Sequence, residues 1–261
     1  MADNDDQVVL YEVDDNHCAL IRLNRPDARN AVNPAVAEGV ERALDAAEND
    51  DSVWAVIITG AGETFCAGAD LKTIASGDFG GIETSRGGFA GIVKRRRSKP
   101  VIAAVNGPAL AGGCEIALAC DLIVASNTAS FGLPEVKRSL VAIAGGLIRL
   151  PQTLPRNLAM EIALTGEPIS AARAAQFGLV NHLCERDEVL EVARRLAQAI
   201  TANAPLAVQA TRQVLLDSMT ASPDEVWKIG WRAVKPLFAT DDFAEGPRAF
   251  VEKRAPRWTG R

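Results

Sequence analysis

Short apolar runs bounded by turn-forming residues alternate with longer helical patterns through the first two thirds of the chain, and that alternation admits few folds. Segments 7–13 (QVVLYEV) and 17–23 (HCALIRL) read as strands, joined into a hairpin by Asp14-Asp15-Asn16. Asn33-Pro34 opens a helix through about Glu48, with proline in its first turn. Residues 53–59 (VWAVIIT), 101–105 (VIAAV) and 121–125 (DLIVA) read as further strands, with an Ala-rich helix from about Ala111. Residues 68–99 are Gly-rich, then amphipathic and basic, and predict a mobile loop feeding a helix. The expectation is an α/β core over residues 1–185. From Arg186 almost everything to Glu252 reads as helix, broken at Ala204-Pro205, Ser222-Pro223 and Thr240-Asp241. Residues 186–261 are therefore expected to form a helical region packed on the core or on a neighbouring subunit.

Composition removes whole classes of function. A chain of 261 residues buries enough surface, about 70% of what it exposes unfolded, to stand without staples. With 28 Lys+Arg against 33 Asp+Glu the net charge is −5, which argues against nucleic acid or an anionic membrane as the main partner. No apolar run approaches the roughly 18 residues of a membrane span. The start MADNDDQ has neither the basic nor the apolar region of a signal peptide, so a cytoplasmic protein is expected. Five cysteines without a CxxC pair argue against a disulfide framework. Two histidines, His17 and His182, supply zinc poorly, and neither HExxH, GxSxG nor a phosphate loop occurs. Carboxylates and backbone amides remain, and no metal or cofactor is expected.

Four stretches carry the remaining chemistry. In NGPALAGGCEIALACDLIVA (106–125), Glu115 sits among Gly, Ala, Leu, Ile and Cys. Burial there would raise its pKa toward the range useful for acid–base work; the alternative is a carboxyl satisfied by one structural hydrogen bond. Glu135 in FGLPE either faces Glu115, dividing acid and base roles around one water, or is an early helical residue favoured by the helix dipole. In FCAGADL (65–71), small residues let amides approach a ligand. Those of Ala67 and Gly112 can hold a carbonyl oxygen turning anionic; the alternative is a tight turn. The run KRRRSK (94–99) reads as a solvated helix end or as a site for a phosphate-bearing ligand.

Together these stretches resemble the enoyl-CoA hydratase/isomerase, or crotonase, family. The matching segments are RPDARNAVN (25–33), TFCAGADLK (64–72), KPVIAAVNGPALAGGCEIALACD (99–121), FGLPEV (131–136), LTGEPISAARAAQFGLVNHL (164–183) and DDFAEGPRAFVEKRAPRW (241–258). The resemblance implies a crotonase-like ββα spiral core, a helical C-terminal trimerisation region, and a homotrimer or homohexamer. It assigns oxyanion amides to Ala67 and Gly112 and catalytic carboxylates to Glu115 and Glu135. An acyl-CoA thioester is the implied substrate, with Arg29, Ala31, Ala67, Gly68, Ala69, Asp70 and Gly112 lining its site and Phe250 and Lys253 approaching CoA from the C-terminus. Both glutamates favour hydration of a 2-trans-enoyl-CoA in fatty-acid or related breakdown. Double-bond isomerisation or thioester hydrolysis is the alternative chemistry, and a nucleic-acid-binding scaffold the non-catalytic one. One departure concerns the acyl pocket: Ile143-Ala144 stands where the family usually carries Pro-Gly before Gly145-Gly146. The 73–93 loop also shapes that pocket in the family.

Overall fold

The computed structural model describes residues 7–75 and 80–261; the acidic start (1–6) and the centre of the 73–93 loop (76–79) lie outside the described residues. Strands β1 (Val9–Val13) and β2 (Cys18–Leu23) form the expected antiparallel hairpin, Val9 opposite Leu23. Asp14 closes its turn by accepting from the amides of Asn16 and Cys18. Helix α1 (Pro34–Asn49) is capped by the Asn33 side chain, which accepts from the Val36 amide at 3.0 Å, the reason Asn-Pro starts it so sharply. There follow β3 (Ala55–Gly60), α2 (Leu71–Ala75), and a short hairpin of β4 (Glu83–Thr84) with β5 (Gly88–Phe89). Next are β6 (Val101–Val105), β7 (Ala109–Leu110), α3 (Gly112–Ala119), β8 (Leu122–Ser126) and β9 (Ser130–Gly132). The core closes with α4 (Gly146–Thr153), α5 (Arg156–Thr165), β10 (Ile169–Ser170), α6 (Ala171–Gln176) and β11 (His182–Cys184).

The main sheet runs β1-β2-β3-β6-β8-β11, parallel at every pairing after the first hairpin. Its middle strands are apolar throughout because both faces are covered. Ile21, Val56, Ile58, Ala103, Val105 and Ile123 face the layer that contains α1 and α3. Their alternates Leu20, Ile57, Ile102, Ala104 and Val124 face α7 (Val189–Thr201), which buries Val189, Ala193 and Ala197 at four-residue spacing. Beyond α7 come α8 (Pro205–Ser218), α9 (Pro223–Val234) and α10 (Asp241–Glu252), broken at the prolines and at the Thr240 cap seen in the sequence. No helix among the described residues is long and apolar enough to cross a membrane. A second sheet, β10-β9-β7, sits beside the first and carries the chain toward α3.

Two expectations fail in the 68–99 region. Past the short α2, the described part of the loop holds one 3-10 turn (Gly80–Ile82) and enters no α-helix: positive φ at Gly88, Ala90 and Gly91 turns the backbone away from right-handed winding. The charge run is not a solvated helix end either. Alternate residues point inward in this extended segment, so the Arg95 and Arg97 side chains are only 8% and 6% exposed, and Lys99 is buried. Arg95 pairs with Asp45 at 2.6 Å and Arg97 with Asp121 at 3.1 Å. Lys99 Nζ donates to the carbonyls of Ala47 and Asp50, both at 2.6 Å, at the C-terminal end of α1. Lys99→Met is expected to cost about 1–3 kcal/mol by leaving the Ala47 carbonyl without its Lys99 donor and the Asp50 carbonyl with the Val53 amide alone, read as a lower urea midpoint at constant slope. A midpoint equal to that of the parent would show that Lys99 does not anchor the helix.

Candidate active site

The site is assembled by backbone pairing between three segments far apart in sequence. Cys66 bridges to Ala109 and Ala69 to Val32, so residues 66–70 lie between the 29–32 loop and β7. Asn30 shapes that loop from a fully buried position. Its side chain donates to the carbonyls of Ala61 (2.9 Å) and Thr64 (2.7 Å) and accepts from the Arg25 amide (2.9 Å). Arg25 in turn holds Ala31 through its carbonyl and Asp70 through its carboxylate, at 2.6 and 3.0 Å. Gly68 has φ +93°, and a Cβ there would lie 2.9 Å from the Gly112 nitrogen and 2.8 Å from the Ala111 side chain. A Cβ on Gly113 would collide with the Cys66 carbonyl. Small residues in both segments are therefore a packing requirement.

These segments wall a cleft of about 1060 Å³. Of the residues expected in the site, Arg29, Ala31, Ala67, Ala69, Asp70, Gly112, Glu115 and Glu135 line it. Gly68 lies behind the wall, its carbonyl accepting from the Val32 amide at 2.8 Å. Phe250 and Lys253 are not among the lining residues: Phe250 is 85% exposed on α10, and Lys253 ends that helix at φ +54°.

Assigning an oxyanion amide to Ala67 is corrected by the hydrogen bonding. The Ala67 amide donates to the Arg29 carbonyl at 3.0 Å and has no proton left for a ligand. The amides of Ala69 and Gly112, both at the cleft, have no acceptor among the described residues. Gly112 opens α3, where amides are unpaired and the helix dipole favours negative charge. The preceding Ala111 is held at φ 51°, ψ −130° by its amide's bond to the Gly132 carbonyl at 2.9 Å. Such backbone strain costs about 1–3 kcal/mol and here fixes the entry into α3.

Glu115 lies one turn into α3, 3% exposed, with Oε1 accepting from the Gly146 amide at 2.8 Å. Burial lifts its carboxyl to about 7; the Gly146 amide opposes the rise and the charge of Glu135 adds to it. Glu135 sits on the single turn Pro134–Arg138. Burial raises its carboxyl too, partly opposed by its own amide and by Arg138, and its Oε2 is buried with no partner among the described residues. The structure thus brings Glu115 and Glu135 to one cleft, electrostatically coupled, beside two free amides.

Several lining residues were not singled out from the sequence. Arg25 stands within the quoted RPDARNAVN segment, but its grip on Asp70 crosses 45 positions. Phe89, from β5, closes over Gly112, where a Cβ would strike its ring. Leu140 and Val141 form an apolar stretch at the rim with Ile143, the position the sequence did mark as a departure, which is 78% exposed.

Known proteins give this cleft its context. The family model described as enoyl-CoA hydratase/isomerase matches residues 14–261. Mevalonyl-coenzyme A hydratase sidH of Aspergillus fumigatus is 44% identical over 248 residues, covering 93% of this chain and 91% of that protein. Enoyl-CoA hydratase EchA19 of Mycobacterium tuberculosis is 41% identical over 252 residues, 94% of each chain. A crystal structure of enoyl-CoA hydratase from Mycobacterium tuberculosis H37Rv superposes with a TM-score of 0.94 at 47% identity, covering 98% of this chain and 100% of that one. With its fold, its paired glutamates and its free amides, the chain belongs to the enoyl-CoA hydratase/isomerase family.

Proposed function

We propose that the enzyme adds water across the double bond of a 2-trans-enoyl-CoA to give a 3-hydroxyacyl-CoA. The observation that carries this reading is the coupled Glu115–Glu135 pair beside the free Ala69 and Gly112 amides. The thioester oxygen accepts from those two amides, which draws electron density from the conjugated double bond. Ionised Glu115 takes a proton from water as its oxygen bonds to the β-carbon. The electron pair moves onto the thioester as an enolate, and protonated Glu135 delivers a proton to the α-carbon. Burial, with the charge of Glu135 adding to it, lifts the Glu115 carboxyl to about 7, so near neutrality it can both take up and release a proton, as a proton-sharing cycle needs. Arg29, at the cleft, supplies positive charge for the phosphates of CoA, while Arg25 is held by Asp70 and the Ala31 carbonyl.

The C-terminal residues enter through assembly. Phe250 and Lys253 reach CoA from a neighbouring copy in a homotrimer or a pair of trimers, a reading supported by the exposure of Phe250, Trp227, Trp231 and Phe243. Truncation before Asp241 is expected to abolish oligomers and turnover together, by light scattering and rate; a fully active monomer would sink the assembly reading.

Glu115→Gln and Glu135→Gln should each lower kcat by roughly 100-fold or more with KM changed only a few-fold. The measurement is loss of enoyl-thioester absorbance on crotonyl-CoA and longer 2-enoyl-CoAs, with product mass checked. A mass gain of one water marks hydration; a product isomeric with substrate marks a double-bond isomerase, and free thiol a hydrolase. Stability gives an independent reading. Glu115 holds its proton more tightly folded than unfolded, so parent stability falls as pH rises from about 4.5 to about 7 and is flat beyond. Glu115→Gln lacks that loss and is expected to be about 3 kcal/mol more stable than the parent at pH 8, with little difference at pH 4, by denaturant titration. Identical pH profiles for the two proteins would show that the Glu115 carboxyl is not perturbed by burial.

A further inference from the structure

The turn that holds Glu115 is itself held by an arginine. At residues 144–146 the chain leaves the cleft wall and enters α4. The Gly146 amide donates to Glu115 Oε1 at 2.8 Å, and the amides of Gly146 and Ala144 both favour the ionised carboxyl. Gly145 between them has φ +104°, and a Cβ there would collide with Arg149 Nη1, so the guanidinium lies across the turn. Arg149 stands in the first turn of α4, its amide donating to the Gly145 carbonyl at 2.9 Å. Its side chain folds back, Nη1 donating to the Ala144 carbonyl at 3.5 Å and Nη2 to the buried Val93 carbonyl at 2.5 Å. Val93 follows Phe89, the ring that closes over Gly112, by four residues. One guanidinium therefore joins the segment beside the free Gly112 amide to the turn that orients Glu115. A planar fork can span two carbonyls in this way, and a single ammonium cannot.

The charges around Glu115 come from three elements. Glu135 lies on the Pro134–Arg138 turn, with Arg138 acting on Glu135 itself. Cys114, the neighbour of Glu115 on α3, is a thiol kept neutral by burial. Arg149 on α4 is the cation of this set that acts on Glu115, and it favours the ionised carboxyl against the rise caused by burial. Arg97 and Cys120 face the guanidinium as well, the thiol of Cys120 neutral for the same reason as that of Cys114. Among the described residues no carboxylate hydrogen-bonds Arg149.

We propose that Arg149 is a positioning residue for the reaction, clamping the 144–146 turn so that its amides keep the Glu115 carboxyl aimed into the cleft. The inference rests on the hydration reading and adds to it a residue that does not line the cleft.

Two readouts test it on the full chain: steady-state rates on crotonyl-CoA, and the carboxyl titration of Glu115 by infrared difference spectroscopy, each protein compared with its own Glu115→Gln form. Arg149→Met and Arg149→Gln remove a cation that favours ionised Glu115, so its carboxyl should titrate higher than in the parent by about half a pH unit or more. Their kcat at pH 7 should fall about tenfold while KM changes less than about threefold. Arg149→Lys keeps the charge and loses the two-carbonyl span, so Glu115 should titrate as in the parent with kcat between those of parent and Arg149→Met. Arg149→Gln and Arg149→Lys carry the comparison where Arg149→Met fails to fold. Parent-like titration and kcat in the neutral variants would overturn the proposal, as would Arg149→Lys losing as much kcat as Arg149→Gln with no difference in titration between them. The infrared readout needs no substrate: a shifted carboxyl in a parent that fails to hydrate enoyl-CoAs would uphold the clamp and overturn the hydration reading alone.

Discussion

The hydrogen bonds that thread residues 66–70 between two other stretches of backbone are the constraint on which the rest of the site depends. On one side the Ala67 amide reaches the Arg29 carbonyl, the Val32 amide the Gly68 carbonyl, and the Asp70 amide the Val32 carbonyl, at 2.8–3.0 Å. On the other the Leu110 amide bonds the Cys66 carbonyl at 3.0 Å. This pairing consumes the donors of residues 67 and 70 and leaves that of Ala69 beside Gly112. A clamp made of main-chain amides is rigid because moving either donor would break a neighbouring bond, which suits stabilisation of a developing anion.

Around that clamp the protein maintains an electrostatic conflict. A carboxyl 3% exposed in an apolar helix is destabilised as an anion, and Glu135 nearby makes it worse. The Gly146 amide offsets part of the penalty and fixes the carboxyl's orientation, so Glu115 is both basic and immobile. A solvent-exposed glutamate would be stable but largely ionised at neutral pH and a weak base.

Much of the fold was legible because burial leaves a local trace. Two-sided burial made VWAVIIT apolar but for Thr59 and VIAAV apolar throughout, Asn33-Pro34 marked a cap, and the breaks between the last helices fell at Pro205, Pro223 and the Thr240 cap. The KRRRSK run (94–99) reads as an exposed helix end because its cations suit one, and only distant partners, Asp45 and Asp121, show that Arg95 and Arg97 are enclosed. The site was legible to the level of the segment: Glu115 and Glu135 stand out by their surroundings, whereas which amide of Ala67-Gly68-Ala69 is free depends on what the chain pairs with.

From the sequence alone come the α/β order of the elements, the positions of the helix breaks, the two glutamates and the small-residue segments, because each depends on a residue's immediate neighbours in the chain. Tertiary structure alone decided that Glu135 is coupled to Glu115, that Ala69 rather than Ala67 keeps a free amide, and that Arg95 and Arg97 turn inward. The reason is physical. Hydrogen-bond donors are used up, and charges are desolvated, by groups tens of residues away, and no local pattern records that pairing.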